Sequence, residues 1–365
     1  MKVIISGGGT AGHINPGIAI AKKIIEKDKD SQIIFVGTKK GLENKLVPRE
    51  GFELKTIRVK GFRRKLSFDT FTTVKELFIG LSQAKKILKE FKPDIVIGTG
   101  GFVCGPILFY ATRLKIPTII HEQNAFPGVT NRILSRFVDV VAISFEESRE
   151  YFKSAKNVKL TGNPIRQEIL DVDRALIKKD SKFGNKEKKV LVFGGSRGAK
   201  VINDTVVDMI KTHYKKDFNM IFATGEVLNE EVLEKLKDVD AQNIDIVPYI
   251  YNMKDALASA DLVICRSGAI TVCELAAVGI PAILIPSPNV TANHQEYNAK
   301  VLENADAGVI LLEKDLTPEN LYDKIKDLLS NNKLLDNMSE NSRQVAVLDA
   351  SERMYTLVQN FDKAL

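Results

Sequence analysis

The sequence predicts an α/β protein that builds one architecture twice, as two doubly wound parallel-sheet domains with helices on both faces of each sheet. Three observations carry this. The strings KVIISGGG (2–9) and KVLVFGGS (189–196) share one pattern, an apolar strand running into a glycine turn ahead of a helix. Strand-length apolar runs then alternate with helical segments in both halves: 33–36, 95–98, 118–121 and 138–143 in the first, 220–223, 244–247, 262–265 and 282–285 in the second. Between the halves, 171–189 is polar and charged around Gly184, as a linker or loop region would be. A length of 365 residues fits two ordinary domains. Sheets of this kind bind ligands beyond the carboxyl ends of their strands, so two facing each other are expected to form a binding cleft.

Composition narrows the class. An apolar fraction of 44% and a charged fraction of 27% are those of a soluble globular protein. No apolar run approaches the roughly 20 residues that span a bilayer. The opening MKVIISGGGTAGH has too short an apolar run for a secretory leader. Cys104, Cys265 and Cys273 are odd in number and unspaced for metal, which predicts a reducing cytosol. The net charge of +7 is matched by one segment alone: from 58 to 92, ten Lys/Arg stand against three Asp/Glu, an excess of +7. There Val74, Leu77, Phe78, Leu81, Ala84 and Leu88 recur at helical spacing, with Lys75, Lys85, Lys86 and Lys89 interleaved. One reading is a surface helix packed by its apolar stripe. The other is a face that, with Phe62 and Phe71, docks on an anionic membrane. Nucleic acid is not expected, because no aromatic platform or recognised motif accompanies the charge.

The glycine loops bear on chemistry. GGGTAG (7–12) fits G-x-G-x-x-G after a strand, but a dinucleotide site also needs an acid at the end of the second strand, which here reads VGTKK (36–40). No G-x-x-x-x-G-K-[ST] supports a Walker NTPase. The loops GTGGFVCGP (98–106) and GGSRG (194–198) also follow strands. In CRSGAITVCELAAVGIPAILIP (265–286) a strand ends in a tight turn at Gly268 and a short helix begins at Ala269, Ile270 and Thr271. Its free N–H groups make a ready phosphate site. Glu274 lies about one and a half turns in among apolar residues, where sugar hydroxyls, a backbone group or a base would satisfy it. Of four histidines (His13, His121, His213, His294) only His13 sits at a glycine-loop-to-helix junction. A helix N-terminus disfavours an imidazolium, so a neutral ring there could take a proton; the alternative is a ring that bonds a phosphate or the backbone. The D-x-D pairs at 28/30, 171/173 and 238/240 lie in lysine-rich polar segments and read as solvated surface, so no metal is expected. Activity should largely survive EDTA; near-complete loss, restored by Mg2+ or Mn2+, would overturn that expectation.

GGGTAGHINP, GTGGFVCGP, HEQNAFPGVTNR, TGNPIR, GGSRGA and RSGAITVCELAAVGIPAILIP, in that order from residue 2 to about 350, resemble the MurG family. These are the bacterial peptidoglycan glycosyltransferases that add N-acetylglucosamine to the membrane-bound muramyl-pentapeptide lipid. The resemblance implies the GT-B fold, with an N-terminal domain (1–163) for acceptor and membrane, a C-terminal domain (164–349) for UDP-N-acetylglucosamine, and a last helix (350–365) returning to the first. It implies an inverting transfer without a cofactor, in which the C4 hydroxyl of the muramyl sugar attacks the anomeric carbon and UDP leaves. His13 would be the base. Glu274 would hold the ribose hydroxyls, Ser196 and the Ala269, Ile270, Thr271 helix start the diphosphate, with Arg166 adding positive charge. The Ile250 backbone would pair with uracil, and Thr10, Ala11, Gly12, Asn124 and Gln295 would contact the donor sugar. At 294 the chain has His where the family pattern allows a second glutamine, so Gln295 is the sugar contact expected.

The acceptor, an undecaprenyl-diphosphate-linked MurNAc-pentapeptide, would meet Gly100, Gly101, Phe102 and Gly105. Leu77, Phe78 and Leu81 would border an anionic membrane surface, with Lys85, Lys86 and Lys89 drawing in its lipids. The protein would then sit peripherally on the cytoplasmic side of the cell membrane, with other wall-synthesis enzymes as possible partners. Three alternatives remain open: a related glycolipid synthase with a diacylglycerol acceptor, a UDP-N-acetylglucosamine 2-epimerase, and a catalytically silent UDP-sugar-binding module.

Overall fold

The computed structural model describes residues 1–61, 69–171, 174, 177, 188–195, 197–215 and 217–362. They form two compact units, Met1–Ile165 with Val347–Leu365, and Arg166–Ala346.

The first unit holds a seven-stranded, all-parallel sheet of β1 (Lys2–Gly7), β2 (Gln32–Thr38), β3 (Glu53–Ile57), β4 (Ile95–Gly100), β5 (Thr118–Glu122), β6 (Val140–Ile143) and β7 (Val158–Leu160), in the order 3-2-1-4-5-6-7. Val3 pairs with Ile33 on one side and Ile95 on the other. The central strands read as continuous apolar runs because both faces are covered. Ile4, Ile34, Val96 and Ile120 pack on one face with Leu88 of α3 (Asp69–Phe91) and Ile107 and Leu108 of α4 (Cys104–Arg113). Val3, Ile5, Ile97 and Ile119 pack on the other with Ile14, Ile18 and Ile24 of α1 (Ala11–Lys27). Met354, Tyr355 and Val358 of the last helix, Ala350–Asp362, complete that second core. Lys23 and Lys27 each pair with Glu352 at 3.2 Å along the same contact.

The second unit repeats the plan with β8 (Lys189–Phe193), β9 (Asn219–Ala223), β10 (Ile244–Val247), β11 (Leu262–Cys265), β12 (Ala282–Leu284) and β13 (Gly308–Ile310), all parallel in the order 10-9-8-11-12-13. In each sheet the first strand lies at the reversal of strand order. The loops after β1 and β4, and after β8 and β11, therefore flank the two switch points where such sheets take ligands. Arg174, from the stretch read as linker, is a structural clamp: it donates to the carbonyls of Ala260 at 2.6 Å, Gly279 at 2.8 Å and Ala258 at 3.4 Å. A cation there satisfies carbonyls at helix C-termini.

Periodicity did not announce three strands. ELKTI of β3 and VKL of β7 are short and partly polar, GVI of β13 is only three residues long, and all three are edge strands, where only part of the strand needs burial. The helix expected around 74–88 is α3. Its Ala84, Ile87 and Leu88 face the core, while Phe78 is 67% exposed and Lys85, Lys86 and Lys89 face outward. Leu77 and Leu81 are half-buried. Phe62 lies outside the described residues. Among the described residues no helix is long and apolar enough to cross a membrane.

Candidate active site

In the first unit, β1 ends at Gly7 and α1 starts at Ala11 behind an exposed loop. Thr10, the residue before the helix, is extended and its side chain makes no capping bond. The first helical hydrogen bonds run from His13 N and Ile14 N to Thr10 O, leaving the N–H groups of Ala11 and Gly12 outside the helical ladder. Thr10, Ala11 and Gly12 thus form an open helix start, electrostatically suited to an anion. Immediately behind them the His13 Nδ1 lies 2.9 Å from Gly8 O and 3.3 Å from Thr10 Oγ1. A carbonyl can only accept, so Nδ1 carries the hydrogen and, in the neutral ring, Nε2 is the basic nitrogen.

The loop after β4 is pressed onto the loop after β1. Gly101, at φ 85°, would place a side-chain Cβ 2.6 Å from Gly8 O, so only glycine fits. A Cβ at Gly100 would sit 2.6 Å from the His13 ring carbon Cδ2. Phe102 next to them is 40% exposed, and the space beside Gly105 is open. Cys104 is buried, its Sγ–H donating to Ser6 O at 2.9 Å. Burial pushes its thiol up to about 11, so it is a packed thiol and not a nucleophile.

The loop after β5 is organised by a residue that motif reading passed over. Glu122, almost fully buried, accepts from Asn124 N–H at 2.9 Å, Asn124 Nδ2 at 3.1 Å, Gly128 N–H at 3.0 Å and Asn131 Nδ2 at 2.8 Å. Asn124 is thereby held in one orientation beyond the carboxyl end of β5. The clue was available in HEQN followed by Gly128 and Asn131, a carboxylate amid several donors. His121 beside it is structural. Its Nε2–H donates to Gly162 O at 2.9 Å while Nδ1 accepts from Gln123 at 2.9 Å. Burial pushes its pKa down to about 4, partly opposed by the Gly162 carbonyl. The unfolded chain, titrating near 6.5, binds the proton first as pH falls. Stability from this site is therefore complete above pH 6.5 and is lost toward pH 4, by about 3 kcal/mol. Urea midpoints across that window should show the fall in the wild type and flatten in His121→Gln.

In the second unit the loop after β8 contains Gly195 and Gly198; Ser196 lies outside the described residues. Gly225, at φ 88° after β9, would place a Cβ 2.1 Å from Gly198 N, so these two loops also meet backbone to backbone. After β11, Gly268 precedes the helix Ala269–Val278 without a side-chain cap, and the first helical bond is Val272 N to Gly268 O at 2.9 Å. The N–H groups of Ala269, Ile270 and Thr271 are consequently outside that helix's ladder. Glu274 is buried and accepts from Arg166 Nε at 3.3 Å and Nη2 at 3.2 Å. Arg166, half exposed, also reaches Glu168 at 3.0 Å. Burial raises the Glu274 carboxyl, and the Arg166 guanidinium opposes that rise. Two residues expected to grip different parts of a ligand therefore grip each other here.

Gln295, second residue of the helix His294–Asn304, accepts from Ser287 N–H at 2.9 Å through Oε1, and its backbone carbonyl takes the Ser267 hydroxyl at 2.7 Å. This ties it to the turn that starts the Ala269–Val278 helix. His294 Nδ1 lies 2.9 Å from Thr291 O, within its own loop. Ile250 stands beyond the carboxyl end of β10, between Tyr249 and Tyr251, whose rings meet edge to face at 5.1 Å. Among the described residues no group of three or more His, Cys, Asp or Glu could hold a metal ion. Asp28 is engaged by the Met1 amine at 3.1 Å and the Ser31 hydroxyl at 2.5 Å.

Two Rossmann-like units with open helix starts at their sheet reversals, and the buried Glu274 beside the second, have the two-domain GT-B architecture of nucleotide-sugar glycosyltransferases. The model of the glycosyltransferase family 28 N-terminal domain matches residues 3–143, and that of its C-terminal domain residues 189–354. The chain belongs to the MurG family of these glycosyltransferases. It is 56% identical over 365 residues, all of this chain and 99% of the other, to the UDP-N-acetylglucosamine--N-acetylmuramyl-(pentapeptide) pyrophosphoryl-undecaprenol N-acetylglucosamine transferase of Acetivibrio thermocellus. Identity to the transferase of the same name from Thermoanaerobacter sp. (strain X514) is 54% over 364 residues, 99% of this chain and all of that one. The crystal structure of Acinetobacter baumannii MurG superimposes with a TM-score of 0.82 at 31% identity, covering 98% of this chain and 99% of that one.

Proposed function

We propose that this protein transfers N-acetylglucosamine from UDP-N-acetylglucosamine to the C4 hydroxyl of undecaprenyl-diphospho-MurNAc-pentapeptide, inverting the anomeric centre and releasing UDP. The observation that carries the reading is full-length identity above one half to a transferase of that name. The geometry supplies a mechanism. The acceptor hydroxyl gives its proton to His13 Nε2, the nitrogen left basic by the Nδ1–H bond to Gly8 O. Its oxygen forms a bond to the anomeric carbon as the bond to the diphosphate breaks. The electron pair goes to UDP, whose charge is met by the Ala269, Ile270 and Thr271 N–H groups and by Arg166. Ribose hydroxyls replace the guanidinium on Glu274, and Arg166, half exposed, turns to the diphosphate. Ser196 would add a hydroxyl there. Ile250 would offer its backbone to uracil, and Thr10, Ala11, Gly12 and Asn124 of the first unit and Gln295 of the second would each contribute a contact to the sugar.

The acceptor's lipid tail stays in the bilayer, so the first unit must meet a surface. Phe78 and the lysines 85, 86 and 89, exposed together on α3, support a peripheral contact with anionic lipid, bordered by Leu77 and Leu81. Gly100, Gly101, Phe102 and Gly105 would receive the acceptor beside His13. Charge reversal at the three lysines should weaken liposome binding; unchanged binding would remove this part of the reading.

The test is mass spectrometry of products formed by purified protein from UDP-N-acetylglucosamine, with and without a short-prenyl muramyl-pentapeptide diphosphate lipid. UDP release with a gain of one N-acetylhexosamine on the lipid is expected. A new UDP-hexosamine isomer in the tube without acceptor would instead mean an epimerase, and no product in either tube a silent binding module.

A further inference from the structure

Glu43, the first residue of α2 (Glu43–Arg49), the helix after β2, is fully buried beneath the glycine loop. Its Oε1 accepts from Thr38 N–H at 2.8 Å and from the Thr38 hydroxyl at 2.7 Å, and its Oε2 accepts from Gly9 N–H at 3.2 Å. Three glycines clear its space. A Cβ at Gly8 would lie 2.8 Å from Oε1, at Gly37 2.5 Å from Cγ and at Gly41 2.0 Å from Oε2. Burial pushes the carboxyl up, but the bonds from Thr38 and Gly9 outweigh it and hold the group below its usual range, so it is ionised at neutral pH.

The N–H of Gly9 and the C=O of Gly8 belong to one planar peptide group. Glu43 sits at its N–H end; the His13 Nδ1–H, 2.9 Å away, sits at its C=O end. Carboxylate and imidazole polarise this amide in the same sense, and bonds linked in such a chain strengthen one another. We propose that Glu43 is a positioning residue for the transfer: acting through the Gly8–Gly9 peptide, its carboxylate fixes the Nδ1–H tautomer of His13 and supports the positive charge the ring acquires with the acceptor's proton. The arrangement is that of a carboxylate orienting a catalytic histidine, with one peptide group interposed. It also resolves a conflict at this site. The start of α1 opposes the positive charge that the ring takes up during the transfer. A negative charge one peptide away offsets that opposition.

The inference rests on reading His13 as the base, and the experiment separates the two. In the full-length protein, Glu43→Gln, His13→Asn and the double variant are compared by kcat, KM for UDP-N-acetylglucosamine and 15N NMR of the His13 imidazole. Glu43→Gln sets an NH2 against either the Gly9 or the Thr38 donors, and should lower kcat about 10- to 100-fold with KM within about threefold. The Nδ1–H tautomer should lose its preference, and the Glu43→Gln change should alter kcat less than about twofold once His13 is Asn. A merely structural brace would raise KM and cost the same factor in both backgrounds, which overturns the proposal. So does an inactive His13→Asn beside a Glu43→Gln that keeps both tautomer and kcat. If His13→Asn turns over like wild type, the base reading falls and the proposal with it. Should Glu43→Gln fail to melt cooperatively, Glu43→Asp keeps the charge but draws it back from Gly9 N–H. It should show smaller losses of kcat and tautomer preference, and their absence would equally overturn the proposal.

Discussion

Replacing His13 by Ala is expected to lower kcat by about 10²- to 10⁴-fold, with KM for UDP-N-acetylglucosamine changed by less than about threefold. The asymmetry follows from where the ring sits. His13 lies behind the open helix start, and its Nδ1 is occupied by Gly8 O. The donor's charge would meet the N–H groups of Ala269, Ile270 and Thr271 and Arg166, which the substitution leaves in place, while the proton acceptor is lost. His13→Asn makes the comparison sharper. Its amide can still donate to Gly8 O and keep the loop, yet has no basic nitrogen, so it should be as slow as His13→Ala. Steady-state kinetics at saturating acceptor decides it; an Asn variant close to wild type would show that the ring braces the loop and another group takes the proton.

The second large effect is expected at Glu274. Glu274→Gln should reduce kcat/KM for UDP-N-acetylglucosamine by about 100-fold or more, because charge-assisted bonds to two ribose hydroxyls are lost together. The fold should not suffer in proportion. Burial raises the folded carboxyl above its ordinary 4.5, so as pH rises the unfolded chain releases this proton first and the ionised group subtracts stability above that pH; Arg166 offsets only part. Removing the charge at pH 7 should therefore leave the melting temperature unchanged or slightly raised, since glutamine retains an acceptor for Arg166. Calorimetry beside isothermal titration of UDP separates the two outcomes. A melting temperature several degrees lower with UDP affinity retained would make the Arg166–Glu274 pair structural.

The doubled fold was legible because its central strands are buried on both faces and so read as unbroken apolar runs ending in glycine. Edge segments gave no such signal: ELKTI of β3 carries two charged residues in five and is held by its register against β2, a long-range fact. At the site, Thr10–Gly12 and Ala269–Thr271 could be placed from sequence, since a glycine turn before a helix dictates open N–H groups. Glu122 left its trace in HEQN, Gly128 and Asn131, whereas Glu43 left none in any one stretch. Two of the three donors to Glu43 are backbone N–H groups, which every sequence possesses, and an acid sought only at the strand end to hold a ribose is not this one. The trace it left was the glycines at 8, 37 and 41, whose common cause appears only when the three are brought around one carboxylate. Nor did motif order reveal that Arg166 and Glu274 meet: the pair joins residues 108 positions apart.

The path of the chain through its two units has a consequence for biogenesis. The second unit, Arg166–Ala346, is continuous, whereas the first is interrupted by it and completed only by Val347–Leu365. At translation speeds of about 5–20 residues per second, roughly 180 residues emerge in about ten to forty seconds, and Met354, Tyr355 and Val358 come later still. Throughout that interval the nascent first unit has the α1 side of its sheet made but not sealed, an apolar surface awaiting its last helix. The later half of the protein can finish folding first, and the earlier half is the one that needs shelter on the ribosome.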